Sequence, residues 1–291
     1  MKIYEEKNSV IVDGVTDFDP KHIFECGQCF RWHKQEDGSY TGVAKGKILN
    51  VKREDEKIYL NNTNLKDFEE IWSNYFDLDT DYAKIKNELK KMDEYLDKAC
   101  DFGFGIRILK QDGWEMLISF IISSNNRIPM IQKAIENLSR NFGTYIGEYE
   151  GKKYYAFPTP EQLGNATQEE IRACQTGFRD KYIKSTADRV VAESDDVCRY
   201  RKLDTDTCLK ELTKFNGVGP KVADCIALFG MQKLDTFPVD VWVKRVMQEF
   251  YVNEEMSLPK IRIFAVDKFG DLSGFAQQYL FYYARELGIG K

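Results

Sequence analysis

The chain has 291 residues, of which 43% are hydrophobic and 13% aromatic, so it can bury a substantial core divided over two or three subdomains. Its longest largely apolar run, residues 117–122, is far shorter than the roughly 20 residues of a membrane-spanning helix, and the first ten residues lack the pattern of a secretion signal. The net charge of −5 argues against a nucleic-acid partner but does not exclude one, because backbone amides at helix N-termini also bind phosphate.

The first hundred residues alternate between apolar and polar positions in the manner of antiparallel strands. The predicted strands and the turns that separate them cover residues 30–33, 40–43, 48–51 and 58–60, with turns at 37–38, 45–46 and 53–57. Helical spacing replaces this alternation near Leu65. We therefore predict an N-terminal antiparallel sheet domain with accompanying helices over residues 1–103.

The seven cysteines predict free thiols, since their number is odd and no export signal precedes them. Cys26 and Cys29 form a C-x-x-C pair, but no second pair lies at the spacing of a zinc site. The sequence contains two histidines, and its C-terminus lacks the cysteine quartet of an iron–sulfur cluster. We expect no metal site.

From about Trp114 the sequence predicts one helix after another, with apolar residues at helical spacing and a last helix that ends at Gly288. The fold class is therefore α+β, with an antiparallel sheet domain followed by an all-helical body of two lobes. We assign residues 104–124 and 220–291 to one helical lobe and residues 125–219 to the other.

Residues 205–230 predict a helix, a tight hairpin and a second helix that together span the two lobes. The hairpin is Gly217-Val218-Gly219, whose glycines can adopt positive φ and let a ligand approach the backbone. Its free amides and the positive end of the second helix favour an anion such as a DNA phosphate. For a glycine turn alone, a helical corner that binds nothing is the commoner case.

Lys221 lies in the first turn of the second helix, where the helix dipole and burial would both lower the pKa of its amine. A neutral lysine is a nucleophile that forms Schiff bases, although a solvated surface lysine is the commoner case on position alone. Asp240 precedes an amphipathic helix. It is suited to cap that helix, or to present a carboxylate to a substrate held against the hairpin.

Several blocks of the sequence resemble the helix-hairpin-helix glycosylase superfamily and, more narrowly, the 8-oxoguanine DNA glycosylases. The blocks are CGQCFRW at 26–32, LKQD at 109–112, SFIISSNN at 119–126, GVGPKVADC at 217–225, PVD at 238–240 and FAQQYLF at 275–281. They cover most of the chain and occur in the family's order, which makes the resemblance far more specific than a single motif.

The resemblance implies a mechanism. Lys221 would attack the anomeric carbon of a damaged nucleotide, expel the base and form an imine that permits strand cleavage by β-elimination. Asp240 would stabilise the positive charge that develops on the sugar. Monofunctional relatives keep the aspartate and lack the lysine, so both residues together indicate a glycosylase that is also a lyase. No cofactor is expected, while a monovalent cation at the hairpin stays an open alternative.

The resemblance also implies how a flipped base is held. Phe281 and Cys225 would sandwich the base. Gln277 would bind its Watson–Crick edge, and the carbonyl of Gly27 would accept the ring N–H that 8-oxoguanine has and guanine lacks. The DNA contacts would come from Asn125 beside the unpaired base, Phe178 as an aromatic wedge, Arg179 at the opposite strand, and Gly217, Val218 and Gly219 of the hairpin. For each of these residues, ordinary packing or an exposed polar surface is the alternative.

Three positions depart from the family pattern. Met130 stands where eukaryotic members carry an arginine that reads the cytosine opposite the lesion, and Trp242 stands where they have a histidine. Phe229 stands where a methionine is expected. The wall of the pocket is therefore repacked, which leaves the range of lesions open.

The leading hypothesis is a monomeric base-excision repair enzyme that acts on double-stranded DNA containing 8-oxoguanine, in a prokaryotic cytoplasm and associated with the nucleoid through DNA. A second hypothesis keeps the family but changes the lesion to another damaged purine; Lys221 argues against alkylated bases. A third makes the hairpin a non-catalytic DNA-binding module, which would bind DNA without turnover and tolerate replacement of Lys221.

We predict weak discrimination of the base opposite the lesion, because the thioether of Met130 cannot make the bidentate contact of an arginine. The test compares rates of 8-oxoguanine excision opposite cytosine and opposite adenine. The two rates should be similar. A ratio on the order of hundreds in favour of cytosine would contradict the prediction, since that is the discrimination expected of a good bidentate contact.

Overall fold

The computed structural model describes residues 1–252 and 254–289. Its N-terminal part contains an antiparallel sheet of six strands in the order β1-β2-β6-β5-β4-β3. The strands are β1 (Lys2–Glu6), β2 (Ser9–Asp13), β3 (Trp32–Lys34), β4 (Tyr40–Ala44), β5 (Lys47–Glu54) and β6 (Lys57–Asn61). A core of aromatic and branched side chains lies on one face, where the rings of Phe24 and Trp32 stack with centroids 4.1 Å apart.

The sequence predicts four of these strands and misses β1 and β2. Strand β1 is an exposed edge of mostly polar residues, and β2 buries three apolar residues in succession, so neither shows the alternation of a half-buried strand. The predicted strand at 30–33 begins later, at Trp32. The predicted turn at Lys45 and Gly46 is present, and both residues have positive φ, as a two-residue hairpin requires.

The remaining chain is mainly helical. The helices are α1 (Pro20–Phe24), α2 (Leu65–Asp67), α3 (Ser73–Tyr75), α4 (Tyr82–Lys90), α5 (Glu94–Phe102), α6 (Gly113–Ser123), α7 (Ile128–Phe142), α8 (Pro160–Asn165), α9 (Gln168–Ile171), α10 (Asp180–Glu193), α11 (Thr205–Leu212), α12 (Pro220–Met231), α13 (Val241–Phe250), α14 (Leu258–Phe269) and α15 (Ser273–Leu287). The fold class predicted from the sequence, a sheet domain followed by a helical body, is confirmed.

A short hairpin, β7 (Tyr145–Tyr149) and β8 (Lys152–Tyr155), interrupts the helical region where the sequence analysis predicts only helices. Its strands are too short to show a clear alternation of apolar and polar residues. Tyr154 packs against Val43 and Ile48 of the N-terminal sheet. The hairpin therefore takes its stability from a contact between segments about a hundred residues apart, which no local pattern reveals.

Helices α6 and α12 form the centre of the helical body. Every residue of α12 from Val222 to Met231 is buried, and nine of the eleven residues of α6 are buried. The rings of Phe120 on α6 and Phe229 on α12 stack with centroids 5.6 Å apart. Because α12 is enclosed by other elements, the position of its N-terminal turn is fixed by packing.

An ion pair ties α12 to α14. The buried carboxylate of Asp224 accepts two hydrogen bonds from the Arg262 guanidinium, at 2.7 and 2.9 Å. Burial raises the pKa of Asp224 and the guanidinium opposes that shift. This bidentate geometry constrains both the rotation of α12 about its axis and its position along that axis.

Gln28 joins the N-terminal loop to the segment that leads into α6. Its side chain is fully buried, and its amide donates to the carbonyls of Ile23 and Arg107 at 3.0 and 2.7 Å. Its side-chain oxygen accepts the backbone N–H of Leu109 at 2.9 Å. The neighbouring residue Gly27 is thereby held in a defined place beside the helical body.

Replacing Gln28 with leucine should lower the free energy of unfolding by about 2–4 kcal/mol, because the change leaves buried carbonyl and N–H groups without partners. Urea unfolding followed by circular dichroism measures this change, with an unchanged slope against denaturant expected. A loss below about 0.5 kcal/mol, the size typical of a surface substitution, would contradict the structural role of Gln28.

Candidate active site

A cavity of about 700 Å³ opens between the N-terminus of α12, helix α15 and the loop of residues 26–30. Segments far apart in the sequence therefore share one site. The predicted site residues that line it are Gly27, Asn125, Lys221, Cys225, Asp240, Trp242, Gln277 and Phe281. The structure thus brings together the proposed nucleophile, the carboxylate and the whole base-binding set.

The hairpin between α11 and α12 follows the predicted course, but only one of its two glycines has a positive φ. Gly217 has a φ of +84°, and a Cβ added there would lie 2.7 Å from the Tyr182 ring. Gly219 has a φ of −86° and caps α12 in extended conformation. A Cβ at Gly219 would meet nothing within 4 Å. The first glycine is therefore required by the turn and by packing, whereas the second leaves open space in front of the first amides of α12.

Lys221 is half-buried in the first turn of α12, one turn before Cys225. The pKa of its amine is raised, chiefly by the Cys225 sulfur and also by the Asp240 carboxylate, although desolvation acts in the opposite direction. The prediction of a lowered pKa from dipole and burial was therefore wrong for the free protein. The effects of Cys225 and Asp240 outweigh that of desolvation, so the ammonium form predominates at neutral pH.

Asp240 is the N-cap of α13. One carboxylate oxygen accepts the backbone N–H of Val243 at 2.8 Å, which confirms the predicted capping contact. The side chain nevertheless lines the cavity and acts electrostatically on Lys221. Capping holds one carboxylate oxygen and orients the group, so the two roles considered for Asp240 are compatible.

One wall of the cavity is aromatic, and the backbone of Gly27 lies against it. The rings of Phe281 and Trp242 meet edge to face with centroids 5.0 Å apart. Gly27 has a φ of +88°, and a Cβ there would lie 3.3 Å from Phe281. A side chain at Gly27 would therefore be strained and would crowd the aromatic wall.

Gln277 supplies an unused polar group. Its side chain is only 6% exposed, and its oxygen has no hydrogen-bond partner within residues 1–252 and 254–289. A buried amide oxygen without a partner is costly, and this one belongs to a side chain that lines the cavity. The group is available to a ligand that donates a hydrogen bond.

Two further residues, which the sequence does not reveal, hold the backbone of the cavity wall beside Gly27. Gln278 donates to the carbonyl of Cys26 at 2.7 Å, and Arg285 donates to the carbonyl of Glu25 at 2.5 Å. Both contacts fix the backbone next to Gly27 from helix α15. No pattern signals them, because the partners are main-chain carbonyls about 250 residues away.

The other predicted DNA contacts lie outside this cavity. Met130, on α7, is 44% exposed and lines an open concavity with Asn125, Asn126 and Arg127. Phe178 is 52% exposed, as a wedge must be. Arg179 is buried, and its guanidinium donates to the carbonyls of Ser124 and Asn125 instead of pointing outward. Asn125, with a φ of +49°, stands between the cavity and the concavity.

Metal-binding clusters and membrane-spanning helices are absent from the residues that the structure describes. Within the described residues, no group of three or more His, Cys, Asp or Glu side chains is arranged to hold a metal ion. No helix in the part of the chain that the structure describes is long and apolar enough to cross a membrane.

Comparison with known families identifies the chain. The model described as "8-oxoguanine DNA glycosylase, N-terminal domain" matches residues 10–117, and the model described as "HhH-GPD superfamily base excision DNA repair protein" matches residues 118–268. The chain belongs to the HhH-GPD superfamily. This HhH-GPD protein therefore joins an N-terminal domain of the 8-oxoguanine glycosylase type to the superfamily's helical body.

Relatives agree with that assignment. A structure of the Clostridium acetobutylicum 8-oxoguanine glycosylase/lyase, in complex with double-stranded DNA containing cytosine opposite 8-oxoguanine, is 53% identical; the match covers 99% of each chain with a TM-score of 0.96. A probable N-glycosylase/DNA lyase of Methanothermobacter thermautotrophicus is 31% identical over 74% of each chain. An N-glycosylase/DNA lyase of Arabidopsis thaliana is 29% identical over 89% of this chain and 75% of its own. This HhH-GPD protein is a DNA glycosylase and AP lyase of base excision repair.

Proposed function

We propose that this enzyme removes 8-oxoguanine from double-stranded DNA through a covalent intermediate on Lys221. The observation that carries the proposal is the placement of Lys221, Asp240 and the unpartnered oxygen of Gln277 around one cavity of about 700 Å³. A volume of this size holds a flipped nucleotide. The similarity to glycosylase/lyases over nearly the whole chain supports the same reaction class.

Lys221 supplies the electron pair for the first step. Its neutral Nζ forms a bond to C1′ of the lesion nucleotide as the bond from C1′ to N9 breaks, and the departing base takes the bonding electrons and a proton. Asp240 lies beside Lys221, where its carboxylate stabilises positive charge on the sugar as the base leaves. The C1′–O4′ bond then breaks as the Nζ electron pair completes the C1′=N imine, and O4′ takes the remaining proton from Nζ. Loss of a proton from C2′ of this imine expels the 3′ phosphate, and water then hydrolyses the imine to release the enzyme.

Base recognition follows from the walls of the cavity. The base stacks between Phe281 and Cys225, and the Gln277 oxygen accepts a hydrogen bond from the Watson–Crick edge. The carbonyl of Gly27 accepts the ring N–H that distinguishes 8-oxoguanine from guanine. The positive φ of Gly27 and the contacts of Gln278 and Arg285 with adjacent carbonyls support this role, because they hold the backbone beside Phe281.

The DNA duplex binds across the hairpin and the concavity beside Met130. Free amides at the start of α12 bind a phosphate, and the open space in front of Gly219 permits the approach. Phe178 inserts as the wedge, which its exposure supports. We further propose that the enzyme acts as a monomer, in a prokaryotic cytoplasm and without a cofactor. We also propose that the hairpin carbonyls bind a monovalent cation.

Borohydride trapping tests the nucleophile. A labelled duplex with one 8-oxoguanine should give a covalent adduct with the wild-type enzyme, since borohydride reduces the imine to a stable amine. Lys221→Gln should give no adduct, and undamaged duplex should give none with either protein.

The controls separate the parts of the proposal. Lys221→Gln should still bind the lesion duplex in a gel-shift assay, which shows that the pocket is intact. Base release by the wild type without an adduct would refute the covalent role of Lys221 but would still support the glycosylase activity. Neither adduct nor released base would refute 8-oxoguanine as the substrate, and duplexes with other damaged purines would then be tested.

The rate of adduct formation should rise with pH. Because the pKa of Lys221 is raised above its ordinary value, the neutral amine is a small fraction at neutral pH and increases about tenfold for each pH unit below that pKa. Single-turnover trapping between about pH 6 and 9 measures the profile. A rate that is constant over this range would show that the amine is already neutral, in contradiction to the electrostatics of the free protein.

A further inference from the structure

The ring of Tyr182, in the first turn of α10, connects two parts of the surface that the proposed function assigns to DNA. A Cβ added at Gly217 of the hairpin would lie 2.7 Å from this ring, so the hairpin packs directly on it. The ring of Phe178, the proposed wedge, meets the Tyr182 ring edge to face with centroids 6.4 Å apart. A group held against Tyr182 therefore lies close to both the hairpin and the wedge.

The ammonium of Lys181 is held against this ring. Its Nζ lies 5.0 Å from the centroid of the Tyr182 ring, within the range of a cation–π contact, and the residue is exposed. The ring restricts the side chain without neutralising it, because an aromatic face accepts none of the three N–H donors as a carboxylate would. The charge of Lys181 is therefore placed but not paired.

Neighbouring lysines differ from Lys181, because oxygen atoms of the protein already hold them. Lys184, one turn later on α10, donates to the carboxylate of Asp188 and to the carbonyl of Gly164. Lys214, just before the hairpin, donates to a carboxylate on α11 at 2.6 Å. In the described part of the chain, no carboxylate lies within ion-pair distance of Lys181.

Asp180 precedes Lys181 in the sequence but does not neutralise it. One oxygen of its buried carboxylate accepts hydrogen bonds from the Arg172 guanidinium at 2.5 Å and from the Gln168 amide at 3.1 Å. The other oxygen accepts the backbone N–H of Lys181 at 2.7 Å. The carboxylate is therefore occupied, and the ammonium of Lys181 remains available to a ligand.

The place of Lys181 in α10 is unfavourable for the helix itself. Lys181 is the second residue of α10, where the positive end of the helix dipole repels a cation. The fold therefore gains little from this charge. An exposed cation that the fold does not use, held between two elements of a DNA-binding surface, indicates a contact with phosphate.

We propose that Lys181 binds a phosphate of the DNA backbone beside the hairpin, as a contact additional to the hairpin amides. This inference rests on the proposed function, which places the duplex across the hairpin. A lysine that neutralises a phosphate releases counterions, so the contact contributes to the salt dependence of binding. Because phosphates are the same in every sequence, the contact should contribute equally to damaged and undamaged duplex.

The first test measures the salt dependence of DNA binding by fluorescence anisotropy, with Lys221→Gln as the common background so that the lesion duplex is not consumed. Adding Lys181→Gln should weaken binding about threefold to tenfold at about 0.1 M salt, and should reduce the slope of log affinity against log salt by about 0.9. Both changes should be the same for 8-oxoguanine duplex and for undamaged duplex. An unchanged slope would overturn the proposal.

Two variants control for net charge and for folding. Lys184→Gln removes a paired lysine from the same helix and should leave the slope unchanged, whereas Lys181→Arg keeps the charge and should restore the slope. Lys181→Gln should unfold at the same temperature as the background or slightly above it, because the dipole no longer opposes a cation. A slope reduced equally by Lys184→Gln would overturn the proposal, since the loss would then follow from net charge alone.

The second test locates the phosphate. Single phosphates near the lesion are replaced in turn by neutral methylphosphonates, in either strand. One of these replacements should weaken binding of the background protein and have no further effect once Lys181→Gln is present. Losses that multiply with Lys181→Gln at every phosphate would overturn the proposal.

The phosphate contact and the proposed function fail in different ways, because both tests measure binding and require no release of a base. A reduced slope with Lys181→Gln, in an enzyme that does not excise 8-oxoguanine, would refute the proposed function alone. Excision of 8-oxoguanine together with an unchanged slope would refute the phosphate contact alone.

Discussion

Helix α12 is buried from Val222 to Met231, so the free energy of burying it determines where its first turn emerges. The helix is wedged against α6 and α11, and the Asp224–Arg262 pair restricts its rotation. Lys221 therefore reaches the cavity at a fixed place, and the space in front of Gly219, at the start of α12, is open. A nucleophile on a flexible loop would lose conformational entropy each time it met the sugar. Lys221 loses that entropy when the protein folds, because α12 already holds it in place.

The cavity depends equally on polar contacts between segments that are distant in the sequence. The loop around Gly27 is held by Gln28 from within and by Gln278 from α15, through hydrogen bonds to main-chain groups. Main-chain groups do not change when side chains do, so this arrangement keeps the backbone in place while the lining can vary. Trp242 illustrates the point, because it departs from the family pattern and still packs edge to face against Phe281.

The sequence predicts the helices and hairpin well, because their periodicity, caps and glycines are local. It also places Lys221, Asp240 and the base-binding residues in one cavity, although this came from the resemblance of ordered blocks and not from periodicity. It misses β1, an exposed edge strand, and β2, whose burial is set by the whole sheet. It also misses the Gln28 and Gln278 contacts, which no spacing encodes. The error in the pKa direction of Lys221 has a different origin, since its chief cause, Cys225, lies one helical turn away in the sequence and only the approach of Asp240 is tertiary. The proposed domain boundaries stay predictions.

A chain with a net charge of −5 must bind DNA by directed contacts, since a general attraction to phosphate is small or absent. The hairpin meets this requirement with amides whose direction is set by α12. The positive groups at the cavity and beside it are likewise committed, since Arg285 binds the carbonyl of Glu25 and Lys221 lies beside Asp240. In the proposed complex, undamaged duplex therefore gains little from this face, whereas a flipped nucleotide would stack on Phe281 and form a hydrogen bond with Gln277. Selectivity for damage can therefore begin with weak binding of undamaged DNA, before any contact that distinguishes one base from another.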